Sequence, residues 1–302
     1  MYSMSENIHI QKLTKTYSGS NTPALDQLTL KVESGEVYGF LGSNGAGKTT
    51  TIRLLLNFIQ PTAGTATILD KDIVKDSVAV RRHIGYLSGE IALWPNVTGD
   101  ELFAYLGKLQ QKDNRAYLAE LIERFTAEPK KRIGELSKGN RQKIGIIQAL
   151  MHQPEVLILD EPTSGLDPLM QEVFYQTIRE ASARGAAVFV SSHNLAEAQR
   201  MCTRVGIIKH GRLIREQIIR DDLNLGAPMF RIVCKDESSI QRLRTKPSSL
   251  KIISAEGNSV VAQPLHSIAA ALKELSNYDI VSLTTEQLNL EDEFLEYYGD
   301  GA

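Results

Sequence analysis

Residues 42–50 read Gly42-Ser43-Asn44-Gly45-Ala46-Gly47-Lys48-Thr49-Thr50, and this stretch decides the fold class. The spacing is that of a phosphate-binding loop, with a glycine, four residues and then Gly-Lys-Thr. Its flanks fit too. Val37 to Leu41 is a short apolar run suited to a buried strand, and Thr51-Ile52-Arg53-Leu54-Leu55-Leu56 opens a helix. Strand, glycine loop and helix form the context in which such a loop cradles an anion. Gly42, Gly45 and Gly47 let the backbone curl where a Cβ would obstruct it. Successive N–H groups then face one concavity, at the positive end of the helix that starts there. Lys48 supplies a point charge for β- and γ-phosphates, and the Thr49 hydroxyl suits Mg²⁺.

The totals bound the rest. A chain of 302 residues has room for two domains or one large one, and its 42% apolar content supports a real core. A formal net charge of −2 provides no positive field, so no nucleic-acid partner is expected. The densest basic run, Lys130-Lys131-Arg132, reads as a solvated loop. Two cysteines, Cys202 and Cys234, fit free thiols in a reducing cytosol. The first residues lack a positive region followed by an apolar core, so no signal peptide is expected. No stretch approaches the ~18–20 apolar residues of a spanning helix. Action at a membrane would need another polypeptide to span it.

Upstream of the loop, Ile8-His9-Ile10 and Leu28-Thr29-Leu30-Lys31-Val32 read as strands of an antiparallel layer leading into the central strand. Tyr17 lies between them, an aromatic that could pack in the core or stack on a purine. Downstream come a β region (Thr65 to Leu69), a short helix near Val74–Arg82 and the strand Ile84-Gly85-Tyr86-Leu87. Thr98 with Glu101 is a capping box, which predicts a helix over about Gly99–Leu109 with Leu102, Tyr105, Leu106 and Leu109 on one apolar face. A helix over about Arg115–Thr126 follows, then one over about Arg141–Met151. Helices without strands between them predict a helical subdomain, about 90–150, inserted in an α/β protein.

Val156-Leu157-Ile158-Leu159-Asp160-Glu161 is an apolar run closed by two carboxylates. The run fits a strand buried on both faces of a parallel sheet. The acids then fall at its C-terminal end, where open α/β sheets bind ligands. Beside a phosphate loop, Asp160 reads as the Mg²⁺-side acid and Glu161 as the group that polarises the attacking water. The next strand, Ala186–Ser191, leads to Ser192-His193. A histidine there can reach a γ-phosphate, or it can simply serve the fold. A helix from Ser164-Gly165-Leu166-Asp167-Pro168 to about Ala183 precedes that strand, and a hairpin over 205–215 with a His210-Gly211 turn follows it.

Taken together and in this order, residues 6 to about 222 resemble the nucleotide-binding subunit of an ATP-binding-cassette (ABC) transporter. Leu136-Ser137-Lys138-Gly139-Asn140 is similar to the family signature LSGGQ, with Lys138 and Asn140 as departures. Ser164–Asp167 resembles the D-loop, His193 the switch histidine and Tyr17 the adenine-stacking aromatic. The resemblance implies ATP and Mg²⁺ as ligands. It implies a head-to-tail pair with a second such subunit, identical or related, in which Ser137, Gly139 and Asp167 meet the nucleotide of the partner. It also implies a separate transmembrane permease and a peripheral place on the cytoplasmic face of the membrane. The helical subdomain would dock that permease, with Trp94 and Phe103 either in the contact or in the subdomain's own core. One departure matters. Where the family has a metal-contacting glutamine this chain has Gly89, with Glu90 next to it as a candidate substitute metal ligand.

From about residue 225 to 302 the pattern changes. Met229–Cys234, Lys251–Ile253, Ser259–Ala262 and Ile280–Leu283 read as strands, and Ile240 to about Leu243 and His266–Leu275 as helices. This βαββαβ order predicts a small α+β domain. The closing run Leu290–Tyr298 is similar to the end of ATPase subunits of exporters. The expected fold is therefore an α/β phosphate-loop NTPase core, with an antiparallel β layer and an inserted helical subdomain, plus a C-terminal α+β domain. Export is the expected role. An importer subunit, or a soluble ATPase of the same superfamily, is the alternative. The soluble members usually carry two cassettes or a long coiled coil, and this chain shows neither.

Overall fold

The computed structural model describes residues 6–110, 114–219, 229–235, 237–245, 247–265 and 267–286. The closing run Leu290–Tyr298, His266 and the first five residues lie outside them. The chain forms two compact units, Met1–Ile219 and Arg220–Ala302.

The first unit runs β1 (Glu6–Lys15), β2 (Leu25–Glu33), β3 (Val37–Leu41), α1 (Lys48–Leu55), β4 (Ala63–Ile68), β5 (Lys71–Asp72), α2 (Ser77–Arg81) and β6 (Ile84–Leu87). Then come α3 (Gly99–Gln110), α4 (Arg115–Arg124), α5 (Lys138–Leu150), β7 (Val156–Asp160), α6 (Pro168–Ala183), β8 (Ala187–Ser192), α7 (Leu195–Met201), β9 (Arg204–Lys209) and β10 (Arg212–Ile218). Two sheets result. One is antiparallel, in the order β2-β1-β4-β5. The other runs β10-β9-β3-β8-β7-β6, parallel from β9 to β6 with β10 antiparallel at its edge. The core strands β3, β7 and β8 are buried at every position. Their unbroken apolar runs have that cause, since a parallel sheet is covered on both faces. One apolar cluster joins Ile8, Leu30, Phe40, Ile52, Ile158 and Phe189, drawn from both sheets and α1.

The capping box forms as read. Thr98 N donates to Glu101 Oε2 at 2.8 Å, and Glu101 N donates to Thr98 Oγ1 at 3.2 Å. Those hydrogen bonds, the backbone one first, hold the Glu101 carboxyl below the usual range. The apolar face of α3 differs from the reading. Leu102 and Phe103 are buried, whereas Tyr105 and Leu109 are exposed. The helix is pressed close at its start, where a Cβ on Gly99 would meet Pro129 Cα at 2.9 Å. One helix boundary also shifts. α5 begins at Lys138 rather than Arg141, because Ser137 caps it and accepts from Asn140 N at 3.3 Å. The sequence reading passed over α7, although Asn194 caps it by accepting from Ala196 N at 2.9 Å.

The second unit runs β11 (Met229–Cys234), α8 (Glu237–Thr245), β12 (Leu250–Glu256), β13 (Ser259–Pro264), α9 (Ile268–Leu275) and β14 (Ile280–Glu286). Its sheet is antiparallel throughout, in the order β12-β13-β11-β14. This is the split βαβ arrangement. Ile232, Leu243, Val260, Ala271 and Leu275 build its own core. Among the described residues, no helix is long and apolar enough to cross a membrane.

Candidate functional site

The loop after β3 is shaped by contacts that glycine alone allows. A Cβ on Gly42 would lie 2.8 Å from the Ile208 carbonyl oxygen. Gly47 has φ of +116° and would set a Cβ 2.9 Å from the Ala24 carbonyl oxygen. The loop is thus pinned against β9 and the approach to β2, while Ser43, Asn44 and Gly45 stay exposed at its rim and Ala46 is buried. α1 starts immediately afterwards at Lys48 and carries no acid in its first turn. Its positive end is left to attract an anion.

Lys48 is only 6% exposed. Its Nζ donates to the Gly42 carbonyl at 2.5 Å and the Ser43 carbonyl at 3.3 Å. It also stands 3.4 Å from Glu161 Oε1. The other Glu161 oxygen, Oε2, is 2.5 Å from His193 Nδ1. The Thr49 hydroxyl donates to Asp160 Oδ2 at 3.3 Å. Residues from the ends of β3, β7 and β8 therefore form one chain of contacts, as the parallel register requires. Leu41 pairs with Ser192 and Asp160 with Ser191. Thr50 continues the link outward, its Oγ1 lying 3.5 Å from the Tyr17 hydroxyl.

Glu161 has φ of +49°. For a residue with a Cβ this left-handed conformation costs on the order of 1 kcal/mol or more and persists only when its surroundings impose it. They do so here. The Glu161 N–H donates to the Ser191 carbonyl and to the Ser191 hydroxyl, each at 3.2 Å. The same hydroxyl donates a short hydrogen bond to Asp160 Oδ1. Ser191 thus orients both acids, and the sequence reading missed it. The available signal was a polar residue closing a buried strand, the same signal that marked Asp160. Gln142 was also missed. From α5 it donates to the Pro162 carbonyl at 2.6 Å, bracing the turn behind Glu161.

Thr49 and Asp160 offer a hydroxyl and a carboxylate, an oxygen-only set. That suits Mg²⁺, which keeps few protein ligands and completes its shell with water and phosphate. Glu90 is exposed and lines a groove of about 490 Å³ with Arg53, Phe58, Tyr86, Trp94 and Leu106. Its neighbour Gly89 adjoins the acid, for a Cβ there would stand 3.5 Å from Asp160 Oδ2. Among the described residues, no three His, Cys, Asp or Glu side chains gather into one cluster, and Mg²⁺ does not require one.

Ser137, Gly139 and Asp167 sit apart from these contacts. Ser137 and Asp167 each cap a helix, Asp167 Oδ1 accepting from Met170 N at 3.0 Å. Gly139 has no room for a side chain, since its Cβ would lie 2.9 Å from the Gly165 carbonyl oxygen. Trp94 is 53% exposed beside Tyr105, at 5.4 Å between ring centroids, whereas Phe103 is buried.

A family model described as "ABC transporter" matches residues 25–164. The bacitracin transport ATP-binding protein of Bacillus licheniformis is 39% identical over 216 residues, 70% of each chain. The Nod factor export ATP-binding protein I of Paraburkholderia xenovorans is 32% identical over 306 aligned residues, 97% of each chain. A solved dimeric bacterial ABC transporter cassette superimposes with a TM-score of 0.63 at 25% identity, over 70% of this chain and 99% of that one.

Proposed function

This chain belongs to the ABC transporter ATP-binding proteins, and from that premise we propose that it is the ATP-hydrolysing subunit of an export complex whose membrane-spanning subunit is a separate polypeptide. The observation that carries the reading is the contact chain Thr49–Asp160 and Lys48–Glu161–His193 at the C-terminal ends of three parallel strands. The loop N–H groups from Gly42 to Thr50 and the Lys48 ammonium bind the β- and γ-phosphates. Thr49 and Asp160 hold Mg²⁺, which when bound neutralises charge on the transferred phosphoryl group. Glu161 accepts a proton from the attacking water, and His193 holds it from the far side. Tyr17 stacks on the adenine.

Two subunits, identical or related, pair head to tail. Ser137, Gly139 and the N–H groups at the start of α5 cap the γ-phosphate bound by the partner. ATP closes the pair and its hydrolysis opens it, because the γ-phosphate contacts favour one state only. The relative solved as a dimer supports this pairing. The groove beside the exposed Trp94 and Phe58 receives the membrane subunit at the cytoplasmic face. Glu90, at that groove, answers to the docked subunit rather than to the metal. Export is supported by the Nod factor relative, which matches along nearly the whole chain. The unit from about residue 225 is an accessory domain.

The test is to tag the full-length Glu161→Gln chain in its native cell, solubilise membranes gently with ATP present, and identify what co-purifies. A multi-spanning membrane protein is expected. Ribosomes, DNA or a wholly soluble chain would overturn the transport reading.

A further inference from the structure

Tyr17 is held on two sides. Lys15 Nζ donates to the Gln60 carbonyl at 2.7 Å and is thereby anchored. From there it stands over the Tyr17 ring, 5.4 Å from the centroid. At the tip of the ring the hydroxyl lies 3.5 Å from Thr50 Oγ1, within the phosphate loop itself. Despite both contacts the ring remains 40% exposed. A cation within about 6 Å of a ring centroid is attracted to the π face. With the ammonium on one face, a flat ligand has only the other face on which to stack.

We propose that Lys15 is a positioning residue for the nucleobase: with Thr50 it fixes the Tyr17 ring so that a purine stacks on the face Lys15 leaves open. This rests on the reading of Tyr17 as the adenine platform. A free tyrosine at the end of a strand would have to be ordered when the ligand binds, and that ordering weakens affinity. Here the Gln60 carbonyl holds the ammonium, the ammonium holds the ring, and the hydroxyl ties the ring to the loop that binds the phosphates. The contribution of Lys15 therefore belongs to the base and is absent for a ligand made of phosphates alone.

The test uses the purified full-length chain without Mg²⁺, titrated calorimetrically with ATP and separately with inorganic tripolyphosphate. Lys15→Met keeps the aliphatic stem and removes the ammonium. It should raise the ATP Kd about two- to five-fold, the value of one exposed cation–π contact. Tripolyphosphate binding should not change, Lys15→Arg should restore ATP affinity, and Lys15→Met should be silent in a Tyr17→Ala background. Equal weakening for both ligands would overturn the proposal by making Lys15 a part of the phosphate field or of the fold. So would unchanged ATP affinity in Lys15→Met when Tyr17→Ala does weaken it. If Tyr17→Ala itself leaves ATP affinity unchanged, the stacking reading fails first.

Discussion

Two carboxylates, Glu161 in the first unit and Glu274 in the second, show how differently the units use the same chemistry. Glu161 lies between the Lys48 ammonium and the His193 imidazole, in a strained conformation at a strand end. Glu274 on α9 is satisfied by its own chain, accepting from Ser248 N at 2.8 Å and Ser249 N at 2.5 Å. Sheet direction accounts for the contrast. In the parallel sheet β3, β7 and β8 all end on one side, so their polar terminal residues converge. In the antiparallel sheet of the second unit neighbouring strands end on opposite sides, and the polar groups disperse into turns and caps.

The contrast between the two units predicts four outcomes. The largest is Glu161→Gln, which should lower kcat for ATP by roughly 10²–10⁴ while ATP still binds; steady-state hydrolysis beside equilibrium binding would check it, and near-normal turnover would place the proton acceptor elsewhere. Next is Leu243→Ala, in the separate core of the second unit. It should cost that unit about 2–5 kcal/mol with ATP affinity unchanged, read by hydrogen exchange of β11–β14. A weakened ATP Kd would show that the units are not energetically separate. Third, Lys48→Ala should raise the ATP Kd about 10- to 100-fold, the worth of charged hydrogen bonds to phosphate. Calorimetric titration would show it, and an unchanged Kd would mean the loop is misassigned.

The smallest concerns Glu274 and pH. Burial alone would raise its pKa, but the N–H groups of Ser248 and Ser249 outweigh burial and hold it below the usual 4.5. A carboxyl with a lowered folded-state pKa stabilises the fold above its unfolded value and loses that contribution as pH falls through the folded one. The second unit should therefore lose a small part of its stability as pH falls below about 4.5. Glu274→Gln should flatten that part of the profile in chemical denaturation at graded pH. An identical acid limb in the variant would show that these hydrogen bonds add nothing.

Much of the cassette was legible in the chain itself. Local rules carried the strand–loop–helix around Lys48, the capping box at Thr98 and the buried run ending in Asp160 and Glu161, because each depends on residues close in sequence. The βαββαβ order of the second unit was legible for the same reason, through alternation and short amphipathic helices. The start of α5 falls three residues before the expected Arg141, because Ser137 is the N-cap and the helix takes in Lys138–Asn140. The face of α3 was misread because the apolar residues at 102, 105, 106 and 109 fit one stripe equally well wherever the neighbours stand.

Sequence by itself thus determined the fold class, the phosphate loop and the two acids at the end of β7. Tertiary structure alone decided that Ser191 orients both acids, that Gly89 abuts Asp160, and that Trp94 is exposed while Phe103 is buried. The physical reason is register. Asp160 and Ser191 lie far apart along the chain, and only the hydrogen-bonded alignment of β7 with β8 places them side by side.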